Sequence, residues 1–267
     1  MHATIINDCR DANVIGRQVA RLSSLLSCPV SYVPVGGDFS DAGELEASGN
    51  LIDMLDAYGE AEAVVLVNAA PRGGKGKKWP NGTPFGYFTY KNVLVVSSVD
   101  GYTLSLVKKF ALTDAITVLD IPTALKQMVV AGAVSADLQE SIANSQFRSF
   151  DFLPRAGAFL AKGATLSGES LPMIDVPDAQ SAVWFVDNFG NSKTTLFVSD
   201  VSVQGGSVTT SAAGVLPFFE RLKDVPDKTS AIIVGSSGIG TKRFLEIVVQ
   251  GGNAAQKFGL KVGSVVL

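Results

Sequence analysis

An α/β N-terminal domain with a mainly parallel central sheet, followed by a smaller all-β C-terminal barrel, is the fold class that this sequence predicts. Three observations carry it. The first half alternates short apolar runs with stretches whose apolar residues recur at helical spacing. Beyond Gly163 the texture changes to a spacer with glycine, serine and two prolines. The remainder reads as short strands divided by turn signals. The boundaries expected are residues 1–166 for the α/β domain, 167–178 for the linker and 179–267 for the barrel.

In chain order, residues 3–6, 30–33, 63–67, 93–96 and 115–119 are apolar, rich in β-branched side chains and short, which suits buried strands. Between them, residues 15–26 carry apolar positions at helical spacing, residues 44–58 begin acidic, and residues 102–110 end in Lys108 and Lys109; each agrees with the helix dipole or with an amphipathic face. Two further helices are expected within residues 122–143, and a helical segment around Asp151 and Arg155. In the second domain the expected strands are residues 181–186, 193–198, 207–210, 231–234, 244–249 and 264–267.

Composition narrows the function classes. Apolar residues make up 46% and charged residues 18%, with a net charge of −3, so the chain reads as a compact globule without a nucleic-acid footprint. Cys9 and Cys28 are the only cysteines and lack metal-ligand spacing; His2 is the only histidine. No metal site is therefore expected, and neither a Ser-His-Asp nor a Cys-His centre. No secretory signal pattern or bilayer-length apolar run is evident, so a cytoplasmic protein without membrane contact is expected.

Several segments carry candidate chemistry. The turn from Asp187 through Asn188, Phe189 and Gly190 to Asn191 sets a carboxylate, an aromatic face and two amides between apolar runs; it suits either an ordinary hairpin loop or recognition of a flat heterocycle. Asp8 ends the first expected strand, where open α/β sheets bind ligands, and Asp11 or Asn13 behind it can cap the next helix. The basic run from Arg72 to Lys78 resembles a phosphate loop, but Gly76-Lys77 is followed by Lys78 rather than a hydroxyl. Gly235-Ser236-Ser237-Gly238 is a second near miss whose serines can bond a small ligand directly.

The order of these fragments resembles that of the S-adenosylmethionine (SAM) hydroxide adenosyltransferase family, the SAM hydrolases related to the fluorinase and chlorinase. The match rests on Asp187-Asn188-Phe189-Gly190-Asn191, Leu216-Pro217, Asp224-Val225-Pro226, Gly235-Ser236-Ser237-Gly238, Leu245-Glu246-Ile247, Asn253-Ala254-Ala255 and Gly259-Leu260-Lys261-Val262-Gly263. Looser N-terminal likenesses are Asn7-Asp8, Asn68, Phe147-Arg148-Ser149-Phe150-Asp151 and Phe159-Leu160-Ala161-Lys162-Gly163. The resemblance implies a homotrimer with sites at subunit interfaces, a small adenosyl ligand, and no cofactor beyond SAM as substrate or ligand. It places Phe189 and Asn191 against adenine, with backbone groups of Gln250 and Gly251 at the adenine edge. Asp8 and Asn13 fall near ribose and methionine, and Asp187 with Ser236, beside Ser237, at the amino-acid end.

The family's Asp, Arg and His around the attacking water correspond here to Asn68, Lys75 and Arg148, which become the catalytic candidates. Leu222 stands near a family aromatic used against adenine, and Pro71 and Arg148 where the halogenases place hydroxyls. The implied reaction is displacement of methionine from the 5′ carbon of SAM by water or hydroxide, giving adenosine and methionine. A neutral thioether leaves, so positioning and desolvation of the nucleophile do most of the work. Two alternatives stand beside it: a catalytically silent SAM or adenosine binder, and an enzyme with another adenosyl substrate or nucleophile.

Overall fold

The computed structural model describes residues 1–36, 42–71 and 82–267. The chain divides into two compact units, Met1–Pro177 and Asp178–Leu267. The first is built on a seven-stranded sheet in the order β2-β1-β3-β5-β4-β6-β7. Its strands are β1 (His2–Asn7), β2 (Val30–Pro34), β3 (Ala63–Asn68), β4 (Phe85–Tyr90), β5 (Val93–Ser98), β6 (Ala115–Leu119) and β7 (Glu169–Pro172). β2, β1, β3 and β5 run parallel, while β4, β6 and β7 join by antiparallel pairing. Residues 169–172, inside the stretch expected as a linker, thus form an edge strand of this sheet.

Alternation along the strands sorts the helices onto faces. Ala3 and Ile5 of β1 and Val64 and Leu66 of β3 join one buried cluster with Leu22 and Leu26 of α1 (Ala12–Leu26) and Ala156 and Leu160 of α7 (Leu153–Ala161). The intervening Ile6, Val65 and Val67 are also buried and belong to the other face, where α2 (Gly43–Tyr58) packs on β1 and β3 and against α3 (Ser105–Phe110). Burial on both faces explains why β3 reads as an unbroken apolar run. The expected helical pair within residues 122–143 is α4 (Ile121–Val130), capped by Asp120, and α5 (Gln139–Ala143); α6 (Arg148–Asp151) precedes α7.

The second unit is an all-β sheet of six strands in the order β10-β11-β12-β13-β9-β8. These are β8 (Val183–Val186), β9 (Ser192–Thr194), β10 (Ser207–Thr210), β11 (Gly214–Phe219), β12 (Ser230–Ile239) and β13 (Lys242–Val249), followed by α8 (Ala254–Phe258). The expected strand at residues 264–267 is reduced to one bridge, Ala182 to Val265. This segment nevertheless ties both sheet edges: the Val266 N–H donates to the Ser181 carbonyl, and the Ser211 N–H donates to the Val266 carbonyl. β4, β7 and β11 escape the sequence patterns for physical reasons. β4 follows a long glycine- and proline-rich excursion, and β7 and β11 contain Pro172 and Pro217, residues that disguise a strand.

Phe152 is wholly buried and stacked on Phe85, with ring centroids 6.1 Å apart. It joins the turn between α6 and α7 to the sheet. Phe152→Ala is expected to lower stability by about 3–5 kcal/mol, measured by urea unfolding with coincident circular dichroism and fluorescence transitions.

Candidate functional site

At the C-terminal edge of the first sheet, Asn7, Asn68 and Phe85 stand in neighbouring register rows. Asn7 pairs with Asn68, Val67 with Ser97, and Phe85 with Ser98. Asn7 is fully buried, and a chain of hydrogen bonds fixes its amide. The Cys9 N–H donates to Asn7 Oδ1 at 2.9 Å, so that atom must be the oxygen. Asn7 Nδ2 then donates to Gln18 Oε1 at 2.7 Å, and Gln18 Nε2 donates to Ser149 Oγ at 3.3 Å. Because Asn7 presents its oxygen, Asn68 donates to it through Nδ2 at 3.0 Å, with a longer 3.4 Å approach to Asp8 Oδ1. Both Nδ2 hydrogens of Asn68 are directed, which leaves its Oδ1 to accept from a water or hydroxyl.

Asp8 follows directly on β1. Its Oδ2 accepts from the Ala70 N–H at 3.2 Å, linking the ends of β1 and β3. Tyr32 donates to the Cys9 carbonyl at 2.6 Å, and burial, then the negative charges of Cys9, Asp8 and Asp11, push its phenol well above the usual tyrosine range. The Gly36 N–H donates to Glu46 Oε2 at 2.7 Å, and Arg10 donates to the Gly36 carbonyl. Burial raises the Glu46 carboxyl above its ordinary value, with the Gly36 N–H and Arg10 opposing.

Arg148 opens α6 and is half-buried. Its guanidinium lies 5.7 Å from the Phe85 ring centroid, and burial pulls its pKa below the usual arginine value. Gly82, at φ +70°, has no room for a Cβ beside that guanidinium. Asp11 caps α1 by accepting from the Val14 N–H at 2.9 Å, and Asn13 is exposed on the first turn. Lys75 and the rest of the basic loop, Arg72 to Lys78, lie outside the described residues.

In the second unit the turn after β8 is locked by its own carboxylate. Asp187 Oδ1 accepts from the Phe189 and Asn191 N–H groups, each at 2.9 Å, and Oδ2 accepts from Asn191 Nδ2 at 3.0 Å. Asp187 therefore builds the turn first, and three of its acceptor directions are already in use. Phe189 is 68% exposed at the tip, an unusual position for a large aromatic. Gly190, at φ +84°, packs against Asn253, the N-cap of α8, where a Cβ would clash. Gln250 lies at the far end of β13, and both its backbone groups are taken: its N–H donates to the Thr229 carbonyl and its carbonyl accepts from the Lys228 N–H. Gly251, at φ +67°, continues that turn.

Ser236 and Ser237 sit in a bulge. Between the pairs Val234–Leu245 and Gly238–Arg243, β12 has three residues against one on β13. Three side chains hold it. Buried Glu246 accepts from the Ser236 N–H at 3.3 Å, Arg243 donates to the Ser236 and Gly238 carbonyls at 3.0 and 2.7 Å, and Lys193 donates to Ser237 Oγ at 2.6 Å. Lys193 also lies 5.4 Å from the Trp184 ring centroid. Since Lys193 is two residues beyond Asn191, one short strand connects the turn to the bulge.

Sequence reasoning missed Asn7 and Gln18 as organising groups, and Glu246, Lys193 and Arg243 as clamps. A lone Glu246 within an apolar strand was the available signal, because such a charge needs partners. Among the described residues no group of three or more His, Cys, Asp or Glu side chains could hold a metal ion, and no helix is long and apolar enough to cross a membrane.

Residues 181–267 match the model of the SAM hydroxide adenosyltransferase C-terminal domain. This region spans the Asp187 turn, the serine bulge and α8. No curated protein matches the chain. Two solved structures are similar over nearly their whole length: an uncharacterized conserved protein from Thermotoga maritima, at TM-score 0.66 and 18% identity with 98% of each chain covered, and a conserved hypothetical protein from Thermus thermophilus, at TM-score 0.58 and 21% identity with 99% of each covered. At these identities the likeness speaks to fold alone.

Because burial raises the folded-state pKa of Glu46, its contribution favours folding below about pH 4.3, the ordinary glutamate value, and is lost as pH rises through the elevated folded value. Glu46→Gln keeps an acceptor for the Gly36 N–H and removes that loss. The variant should gain stability relative to the parent as pH rises toward 7, and the difference should vanish in acid, read from urea midpoints across the pH range.

Proposed function

We propose that this protein binds an adenosyl ligand, SAM, and displaces methionine from its 5′ carbon with water, giving adenosine and methionine. The observation that carries the reading is the exposed Phe189 on a turn clamped by Asp187, inside the region that matches the SAM hydroxide adenosyltransferase C-terminal domain. The clamp orients the Asn191 amide: one N–H points to Asp187, leaving the oxygen and the second N–H for the donor and acceptor pair on an adenine edge. Phe189 supplies a stacking face beside it.

On the first unit, Asp8 and Asn13 belong to the ribose and methionine side of the reading. Asn68 orients the attacking water through its fixed Oδ1, and Arg148 favours the hydroxide form of that nucleophile before attack, the proton going to solvent; the hydroxide charge is spent as the oxygen bonds to the 5′ carbon and the pair of the carbon-sulfur bond leaves with sulfur. Lys75 joins them by resemblance. Asn68 takes no proton at neutral pH, so turnover relies on alignment and desolvation, and a slow rate is expected. Ser236 and Ser237, with the remaining acceptor direction of Asp187, face the amino-acid end. The homotrimer is part of this reading, and light scattering on purified protein should give three times the 27.9 kDa chain mass.

Purified protein incubated with SAM should release adenosine and methionine above a heat-treated control, followed by chromatography; absence of both products would refute the catalytic reading. Phe189→Ala should weaken adenosine binding by about 1–3 kcal/mol, the usual value of a base-aromatic stack, measured by calorimetry. Adenosine bound without turnover would favour the silent-binder alternative.

A further inference from the structure

The edge of the first sheet holds a partly desolvated cation that has no counter-ion among the described residues. Among the described residues the Arg148 guanidinium has no hydrogen-bond acceptor and no carboxylate partner; it lies against the face of Phe85 and beside Gly82. Its position follows from two anchors. Ser149, the next residue, accepts from Gln18 beside Asn7 at the end of β1, while the guanidinium reaches Phe85 at the start of β4. β3 and β5 lie between those strands, and Asn68 stands at the end of β3, on the stretch of edge between the two anchors.

The charged neighbours among the described residues do not neutralise it. Asp151, on the same short helix, is bonded by Ser145 and lies 3.7 Å from Arg21. Asp8 lies at the end of β1, three strands from Phe85, and accepts from Ala70 and Asn68. A guanidinium kept from water without a partner costs free energy that a bound anion recovers, and its planar fork matches an oxyanion better than a spherical ion.

We propose that Arg148 holds a small oxyanion at this edge, of the carboxylate or phosphate class, and that this anion competes with water as the nucleophile. The second half rests on the adenosyl reading above; the anion site does not. An oxyanion arrives already ionised and needs no base, which suits a site where Asn68 replaces one. One of its oxygens bonds to the 5′ carbon as the carbon-sulfur bond breaks. The bonding pair leaves with sulfur, which becomes the neutral thioether of methionine, and no proton is transferred. Acetate would give 5′-O-acetyladenosine and inorganic phosphate would give adenosine 5′-phosphate.

The site is tested without SAM by thermal unfolding of the full chain in sodium acetate, sodium phosphate and sodium chloride at matched ionic strength. Acetate or phosphate should raise the transition temperature above chloride for the parent, not for Arg148→Gln, and less for Arg148→Lys, which keeps the charge and loses the fork. Equal shifts in parent and Arg148→Gln, or none beyond chloride, overturn the site. Should the glutamine variant fail to fold, an undiminished shift in the lysine variant does the same. The nucleophile is then tested with SAM and 18O-labelled acetate or phosphate by mass spectrometry. Label retained in a 5′-substituted adenosine supports it. Unlabelled adenosine alone, or a 5′-chloro product in the chloride arm with no oxyanion adduct, overturns it. If SAM neither binds nor turns over, the adenosyl reading fails, the nucleophilic role falls with it, and the unfolding data decide the anion site.

Discussion

The polar edge of the first sheet depends on one hydrogen bond, from the Cys9 N–H to Asn7 Oδ1. A backbone amide can only donate, so it assigns oxygen and nitrogen on a side chain that could otherwise be turned either way. From that assignment the rest follows without choice. Gln18 must show Asn7 its oxygen and Ser149 its nitrogen, and Asn68 must spend its nitrogen on Asn7 and Asp8. A buried network satisfied in only one sense is rigid, because reversing any member would set like dipoles against each other throughout. The chemistry of Asn68 is thus decided on a neighbouring strand.

The second unit uses the opposite strategy. The turn after β8 carries its own template, since Asp187 accepts three hydrogen bonds from residues within four positions of itself. A locally closed turn of this kind fixes the backbone at Phe189 and Asn191 by short-range contacts, and under the proposed adenosyl reading that reduces the entropy lost on binding. The two units therefore prepare their polar groups over different ranges of sequence, one by contacts such as Gln18 to Ser149 and the other within a single loop.

That difference in range accounts for what the sequence discloses. The parallel strands, α1 and α2 are legible because burial imposes a period on them, and Asp11 announces its cap by type and place. The Asp187 turn is legible because its residues are contiguous. β7 and β11 are obscured by prolines that an edge position or a local pairing accommodates. The Asn7 network is invisible in one dimension: Asn7, Gln18, Asn68 and Ser149 become related only when β1, α1, β3 and α6 meet. Resemblance singles out Asn68 and Arg148 as candidates, but only geometry shows that Asn68 spends its Nδ2 on Asn7 and Asp8 and that Arg148 lies on Phe85. The backbone of Gln250 illustrates the converse, since its expected open groups are consumed by Thr229 and Lys228.

The bulge in β12 has a consequence for how this fold can change. Its surplus residues are taken up between two regular stretches of pairing, so the strands on either side keep their alignment whatever the bulge displays. Gly235 and Gly238 are not interchangeable, because a Cβ at the first would strike Glu246 and at the second the Lys242 backbone. Of the two serines between them, Ser237 is buried and accepts from Lys193, while the side chain of Ser236 is exposed. The bulge is then a bracketed insertion, with two fixed glycines and a buried Ser237, in which Ser236 is the position that can change by evolution or design while the surrounding pairing remains as it is.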